Sequence, residues 1–330
     1  MKNYPLIYGV DISKNTLDIC ELHTDRPENK KHFQIGNDLK SIRKFIKTRK
    51  AEASFFCMED TGVYGLRLCS CLEEAAIEYA VVPAIHIARS KGLRRGKSDK
   101  ADARDIAVYA LAHRSGLSAH HLPERDLQEL KLLASERDKL LKGIKLFSAS
   151  EESFAYLPKS VTFGAKGQNH GTVRYLQKQL VAIEKKIEEL MAQNQTMRHQ
   201  RQLLESIPGI GKQTAVLLIC YTRCFSSFDN WRQLACYAGL APFEYQSGSS
   251  VRGRTKVSHF AQKKLKSVVH MAALTAKKHD PDLRLYYERK VGEGKNKMLV
   301  LNAVRCKLIA RAFAVIKRDS AYINTQKYAA

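Results

Sequence analysis

Through the first third of the chain, apolar residues alternate between strand-length runs and helical spacings. Pro5–Asp11 and Thr16–Leu22 are apolar runs separated by Ser13-Lys14-Asn15. Lys31–Ile35 makes a third, so a β-meander is predicted. Leu39, Ile42, Phe45 and Ile46 recur at helical spacing within residues 37–50. Ala53–Met58 reads as a buried strand that ends in Glu59-Asp60-Thr61-Gly62. Helices are predicted over residues 65–77 and 85–92, with a short strand at Tyr79–Val82 between them. A further helix opens at Asp99 and closes the segment.

Beyond residue 122 the period is almost wholly helical. Leu127, Leu130, Leu133, Leu140, Leu141 and Ile144 mark a long amphipathic helix. Glycine, serine and asparagine across residues 159–171 predict a break. Leu176, Leu180, Ile183, Ile187 and Leu190 then form an a/d seam, which suits either an intramolecular helical hairpin or a dimerising coiled coil. Three strands followed by helix, strand, helix and strand is the order of a ribonuclease-H-like α/β domain. The predicted organisation is an α/β domain over 1–122, a helical coiled-coil linker over 123–200 and a mainly α domain over 201–330.

Charge adds the first functional bound. Lys and Arg number 56 against 33 Asp and Glu, a net +23. Residues 252–330 hold 19 of those cations and only 5 of the acids. Such an excess selects a polyanionic partner, above all nucleic acid, through phosphate contacts and counterion release. No apolar run approaches the 18 residues of a membrane span and no signal-peptide pattern opens the chain. The eight cysteines contain no Cys-x-x-Cys pair, which argues against zinc and against a disulfide framework. A cytoplasmic, nucleoid-associated protein without membrane contact is the expectation.

Three stretches carry candidate chemistry. Asp99, Asp102 and Asp105 stand three apart within a basic neighbourhood that includes Arg89, Lys91, Arg94, Arg95, Lys97, Lys100 and Arg104. Residues i and i+3 of a helix share a face, so neighbouring pairs can point at one spot. With Asp11 ending the first strand and Glu59 the fourth, these acids would offer oxygen ligands from separate elements to Mg²⁺. A solvated, salt-bridged helix start is the plainer reading. Ile207-Pro208-Gly209-Ile210-Gly211-Lys212 suits either a helix-hairpin-helix that meets a phosphate at a helix N-terminus or a tight interhelical turn. It is not a P-loop, since Gln213 stands where Ser or Thr is required. Ser247-Gly248-Ser249-Ser250 beside Arg252, Arg254 and Lys256 is either a flexible basic loop or a serine nucleophile held next to phosphate-binding cations.

Taken as a set, Gly9-Val10-Asp11-Ile12-Ser13-Lys14, Met58-Glu59-Asp60-Thr61-Gly62-Val63-Tyr64-Gly65, Lys97-Ser98-Asp99-x-x-Asp102-Ala103-Arg104, Ile207–Gly211, Tyr237–Pro242 and Ser247-Gly248 resemble a known family. They are similar, in order and spacing, to the DEDD-type transposases of the IS-one-ten insertion-sequence group and to the Piv-type DNA invertases. The resemblance implies a RuvC-like catalytic domain, a coiled-coil linker and a C-terminal transposase domain. It implies metal-binding carboxylates at Asp11, Glu59, Asp99 and Asp102, holding Mg²⁺ or Mn²⁺, and a nucleophile at Ser247, with Ser249 and Ser250 as substitutes. It also implies donor and target DNA as substrates, an element-encoded guide RNA, and a dimer or tetramer. Asp60 and Asp105 depart from the family pattern, and Asp105 is expected to be a helix-surface acid. Two other functions fit the same residues. One is a metal-dependent nuclease that hydrolyses DNA without a covalent intermediate, and the other is a basic nucleic-acid-binding scaffold that does no chemistry.

Overall fold

The computed structural model describes residues 4–49, 53–90, 98–247, 251–257 and 261–324. Lys91, Arg94, Arg95 and Lys97 of the basic neighbourhood, and Gly248, Ser249 and Ser250 of the serine loop, lie outside the described residues. The chain divides into two compact units, Met1–Leu122 and Pro123–Ala330.

The first unit is a five-stranded mixed sheet with helices on both faces. β1 (Leu6–Ile12), β2 (Thr16–His23) and β3 (Lys30–Gly36) form the antiparallel meander. α1 (Leu39–Ile46) follows, with Asp38 as its N-cap accepting the Ser41 N–H at 2.9 Å. β4 (Ser54–Glu59) then runs parallel to β1, and β5 (Tyr79–Val82) parallel to β4. The order is β3-β2-β1-β4-β5. A 3-10 turn at Gly62–Gly65 and α2 (Leu66–Glu74) connect β4 to β5, and α3 (Ala84–Ser90) and α4 (Asp99–Ala112) complete the unit.

Alternation along the strands divides their side chains between two cores. Tyr8, Val10, Leu17, Ile19, Phe56 and Met58 pack with Ile42, Phe45, Leu68 and Leu72 of α1 and α2. On the other face Ile7, Phe55 and Cys57 meet Ile87, Ile106 and Tyr109. Cys20 and Leu22 meet Ala103 and Ala107 of α4. One contact sets the depth of that packing. A Cβ built on Gly9 would lie 2.2 Å from Ala107 N and 2.3 Å from Ala103 O, so α4 rests its backbone directly on β1.

The second unit is helical apart from one hairpin. α5 (Arg125–Phe154) and α6 (Lys159–Gln193) run antiparallel, tied by Arg137 to Glu184 at 2.8 Å and by Asn169 Nδ2 donating to Phe147 O at 3.3 Å. This corrects the expected break over 159–171, which is the first third of α6. The interruption is instead Ala155–Pro158, where Pro158 has no N–H to extend the preceding helix. Gly164, Gly167 and Gly171 each cost the helix about 1 kcal/mol of propensity, and the length of the paired helix absorbs that cost.

α7 (Gln195–Glu205), α8 (Lys212–Thr222) and α9 (Trp231–Tyr237) lead into the hairpin of β6 (Pro242–Ser247) and β7 (Val251–Val257). α10 (Lys263–His279), α11 (Pro281–Gly292) and α12 (Lys297–Arg318) close the unit. Their shared core draws Leu127, Leu130, Ile187 and Leu190 from the long helices onto Leu204, Ile219, Leu265, Val304 and Leu308. Among the described residues no helix is long and apolar enough to cross a membrane. All eight cysteines are free thiols, and burial pushes that of Cys57 up to about 12.

Gly9→Ala should destabilise the first unit by about 3 kcal/mol or more, because a methyl group there strikes backbone rather than a side chain that can turn away. Denaturant melts of the variant would show it as a lower midpoint. An unchanged midpoint would mean that α4 does not rest on β1.

Candidate active site

Asp11, Glu59, Asp99 and Asp102 lie toward one end of the α4 face of the sheet, near enough for the last three to act on the charge of the first. Asp11 lies on that face because Gly9, two residues before it, faces α4. Gly9 pairs with Cys57 of β4, so Glu59 shares the face. Asp60, one residue on, is exposed and accepts the Gly62 N–H at 3.1 Å, making it a turn-forming residue. At the start of α4, Ser98 caps the helix by accepting the Ala101 N–H at 3.3 Å, and Asp99 and Asp102 occupy the first turn. A serine is placed there for a reason that local chemistry supplies: it satisfies an orphan donor. The two acids also meet the positive end of the helix dipole, so the plain helix-start role is filled at the same time.

The electrostatics identify the cluster. Burial first, then the negative charges of Asp102, Asp99, Glu59 and Asp18, push the Asp11 carboxyl up from 3.8 to about 6. All four neighbouring charges act in the same direction, so each disfavours the ionised form of Asp11. Asp18 was not singled out from sequence. It is buried at 3% exposure, faces Asp11 across the β1–β2 register, and is held by His32 Nε2 at 2.9 Å and Gln34 Nε2 at 3.2 Å. The signal was there in the hairpin symmetry: a three-residue turn at Ser13–Asn15 places Asp18 opposite Asp11. Asp105 corrects the expectation of a surface acid. Its side chain is only 10% exposed and stands 3.6 Å from Arg104 Nε.

The donor set is all carboxylate, which suits a hard divalent cation, and a cation would relieve the repulsion at Asp11. Among the described residues, no three Asp, Glu, His or Cys side chains gather tightly enough as they stand to enclose an ion.

The remaining candidates lie in the second unit. Ser247 is the last residue of β6, paired in register with Val251, and Arg252, Arg254 and Lys256 follow along β7. In the Ile207–Gly211 turn the two glycines have different tasks. Gly209 has φ +96°, and a Cβ there would lie 2.6 Å from Ala272 O and Ala276 Cβ of α10. Gly211 caps α8 in extended conformation with open space beyond its Cα, and Lys212 beside it is exposed. The turn therefore packs inward at Gly209 and is open outward at Gly211. A shallow groove lined by Pro208, Gly211, Thr214, Met271 and Thr275 lies alongside.

Comparison with known proteins matches residues 8–146 to a DEDD-type transposase model and residues 201–288 to the model of the transposase IS116/IS110/IS902 family. The chain is 27% identical over 319 residues to the pilin gene-inverting protein of Moraxella bovis, covering 94% of this chain and 95% of that one. It is 25% identical over 249 residues to the transposase for insertion sequence element IS1533 of Leptospira borgpetersenii, covering 68% of this chain and 71% of the relative.

With its pKa raised in the fold, Asp11 takes up protons more readily folded than unfolded, so its cost to stability grows as pH rises from about 4 to about 6 and is full above that. Asp11→Asn in chelator-containing buffer should therefore raise the melting midpoint at pH 7.5 by about 2–4 °C, after allowance for solvent screening. The gain should shrink toward pH 4 and when Mg²⁺ is added. A variant that melts below the wild type at pH 7.5 would show that the acids are not in mutual repulsion.

Proposed function

We propose that the chain is an insertion-sequence transposase, a reading supported by its matches to the IS116/IS110/IS902 and DEDD transposase models, and that it cuts and rejoins DNA with a carboxylate-held divalent metal and a serine nucleophile. The observation that carries this reading is the pooling of negative charge around Asp11 by Glu59, Asp99 and Asp102 at one end of a sheet. Mutual repulsion makes such a pool costly to keep, and a bound divalent metal would offset it.

Asp11, Glu59, Asp99 and Asp102 would hold Mg²⁺ or Mn²⁺, which when bound supplies Lewis-acid stabilisation of charge on phosphate oxygen. Ser247 gives up its proton as Oγ bonds to phosphorus, and the leaving strand departs as a free hydroxyl that takes a proton. The phosphoserine link preserves the bond energy, so a hydroxyl of the new strand can reverse the step without a nucleotide cofactor. Arg252, Arg254 and Lys256 on β7 hold the backbone near the serine, and Gly211 with Lys212 offers a second phosphate contact. The first unit is read as a RuvC-like domain, the α5–α6 pair as the linker that joins protomers into a dimer or tetramer, and an element-encoded RNA as the guide. The near full-length likeness to a pilin gene-inverting protein extends the same chemistry to DNA inversion.

Ser247→Ala should abolish both strand joining and the covalent protein–DNA species seen on a denaturing gel. Asp11→Ala and Asp102→Ala should each cut activity by at least about a hundredfold. Continued cutting by Ser247→Ala with no adduct in the wild type would favour the hydrolytic nuclease, and full activity in both acid variants would leave only a scaffold. Nucleic acid that copurifies with the protein should be a defined small RNA; random fragments would count against guidance.

A further inference from the structure

Arg305 of α12 is 7% exposed, yet among the described residues no acidic side chain pairs with it. Its Nη2 lies 2.6 Å from His270 Nδ1 of α10, its Nη1 reaches Asn302 Oδ1 at 3.4 Å, and its Nε has no partner among the described residues. Among the described residues the weak Cys306 thiol is the charge that bears on it, and burial dominates, lowering its pKa. Arg311, on the same helix, shows the ordinary solution: it is paired with buried Asp280 and with Asp282. A buried guanidinium without a carboxylate is costly to hold and cannot escape by losing its proton.

Both of its side-chain partners accept from it. Guanidinium nitrogens only donate, so His270 Nδ1 must accept, and the hydrogen of the neutral ring sits on Nε2. Burial, and then the charge of Arg305, lower the His270 pKa and keep that ring neutral. His270 itself is partly exposed. Asn302 Nδ2 meanwhile donates to Leu240 O at 2.8 Å, two residues before Pro242 opens β6. The cluster thus grips the root of the strand that ends at Ser247.

Resting on the recombinase reading above, we propose that Arg305 and His270, steadied by Asn302, form the seat of a DNA phosphate at the root of the β6–β7 hairpin. A phosphate supplies the anion that the buried guanidinium lacks, through charge-assisted hydrogen bonds whose desolvation cost the fold has already met. Residues 252–330 carry 19 Lys and Arg against 5 Asp and Glu, a balance that favours a polyanion over a single carboxylate.

The test uses the full-length chain and a labelled DNA duplex, with affinity followed by fluorescence anisotropy over a range of NaCl concentrations. Arg305→Met, which keeps the packing and removes the charge, should melt at or above the wild-type temperature. It should bind DNA about tenfold more weakly near physiological salt, and its log-affinity slope against log salt should fall by about 0.9, the value for one phosphate. A folded Arg305→Met with unchanged affinity and slope overturns the seat. If Arg305→Met loses its melting transition, Arg305→Lys takes its place. Lysine keeps the charge and loses the planar fork, so weaker binding with the wild-type slope is expected, and equal affinity overturns the proposal. A wild type that binds no DNA at any salt sinks the recombinase reading itself; an unaltered slope in the variant sinks only the seat.

Discussion

The backbone-to-backbone contact of α4 on Gly9 is the constraint from which the first unit takes its arrangement. With Ala103 and Ala107 seated on the middle of β1, the first turn of α4 overhangs the end of that strand, where Asp11 lies. The helix therefore runs against β1, and its N-terminal acids are brought to the strand by geometry rather than by any attraction. Attraction would be the wrong sign. The electrostatics push these groups apart, and what holds them is apolar: Phe55, Cys57 and Ile106 under one part of the helix, Cys20 and Leu22 under another. Small side chains at the crossing and a well-filled core around it set the position that the charges oppose.

Most of that arrangement was legible in the residue pattern. The strands were marked by apolar runs and the helices by spacing, and the end of β4 by Glu59-Asp60-Thr61-Gly62. Legibility failed where burial and partner choice depend on a register or on a distant helix. Asp18 looked like one acid in a strand, and only the β1–β2 pairing put it beside Asp11. Asp105 looked exposed because its neighbours in sequence are charged, but its position on α4 turns it inward. The glycine-rich start of α6 suggested a break because propensity is a local quantity, whereas α5 supplies a partner along the whole length.

The second unit divides its polar groups by a different logic. Arg201 is met by Glu188 and Glu205, Arg311 by Asp280, and Lys264 by Asp138. The Arg201–Glu188, Arg311–Asp280 and Lys264–Asp138 pairs fasten separate elements to one another. Against that background the incomplete coordination of Arg305 stands out, as does the open outward face of Gly211 beside the tightly packed Gly209. Function is easier to read in such departures than in the pairs themselves, because a satisfied ion pair has its explanation inside the fold.

The α5–α6 pair has a mechanical consequence. At 1.5 Å per residue, the 35 residues of α6 make a strut about 50 Å long, close to the rise of 15 base pairs of duplex. Two helices locked side by side resist bending far better than one, so displacement at the Ala155–Pro158 end is passed to the other with little loss. The strut is also phased. Taking seven residues from each helix would draw the far end back by about 10 Å and turn it by only about 20°, while taking four would turn it by about 40°. Length and facing along this arm are thus set together, in steps that the helical repeat allows.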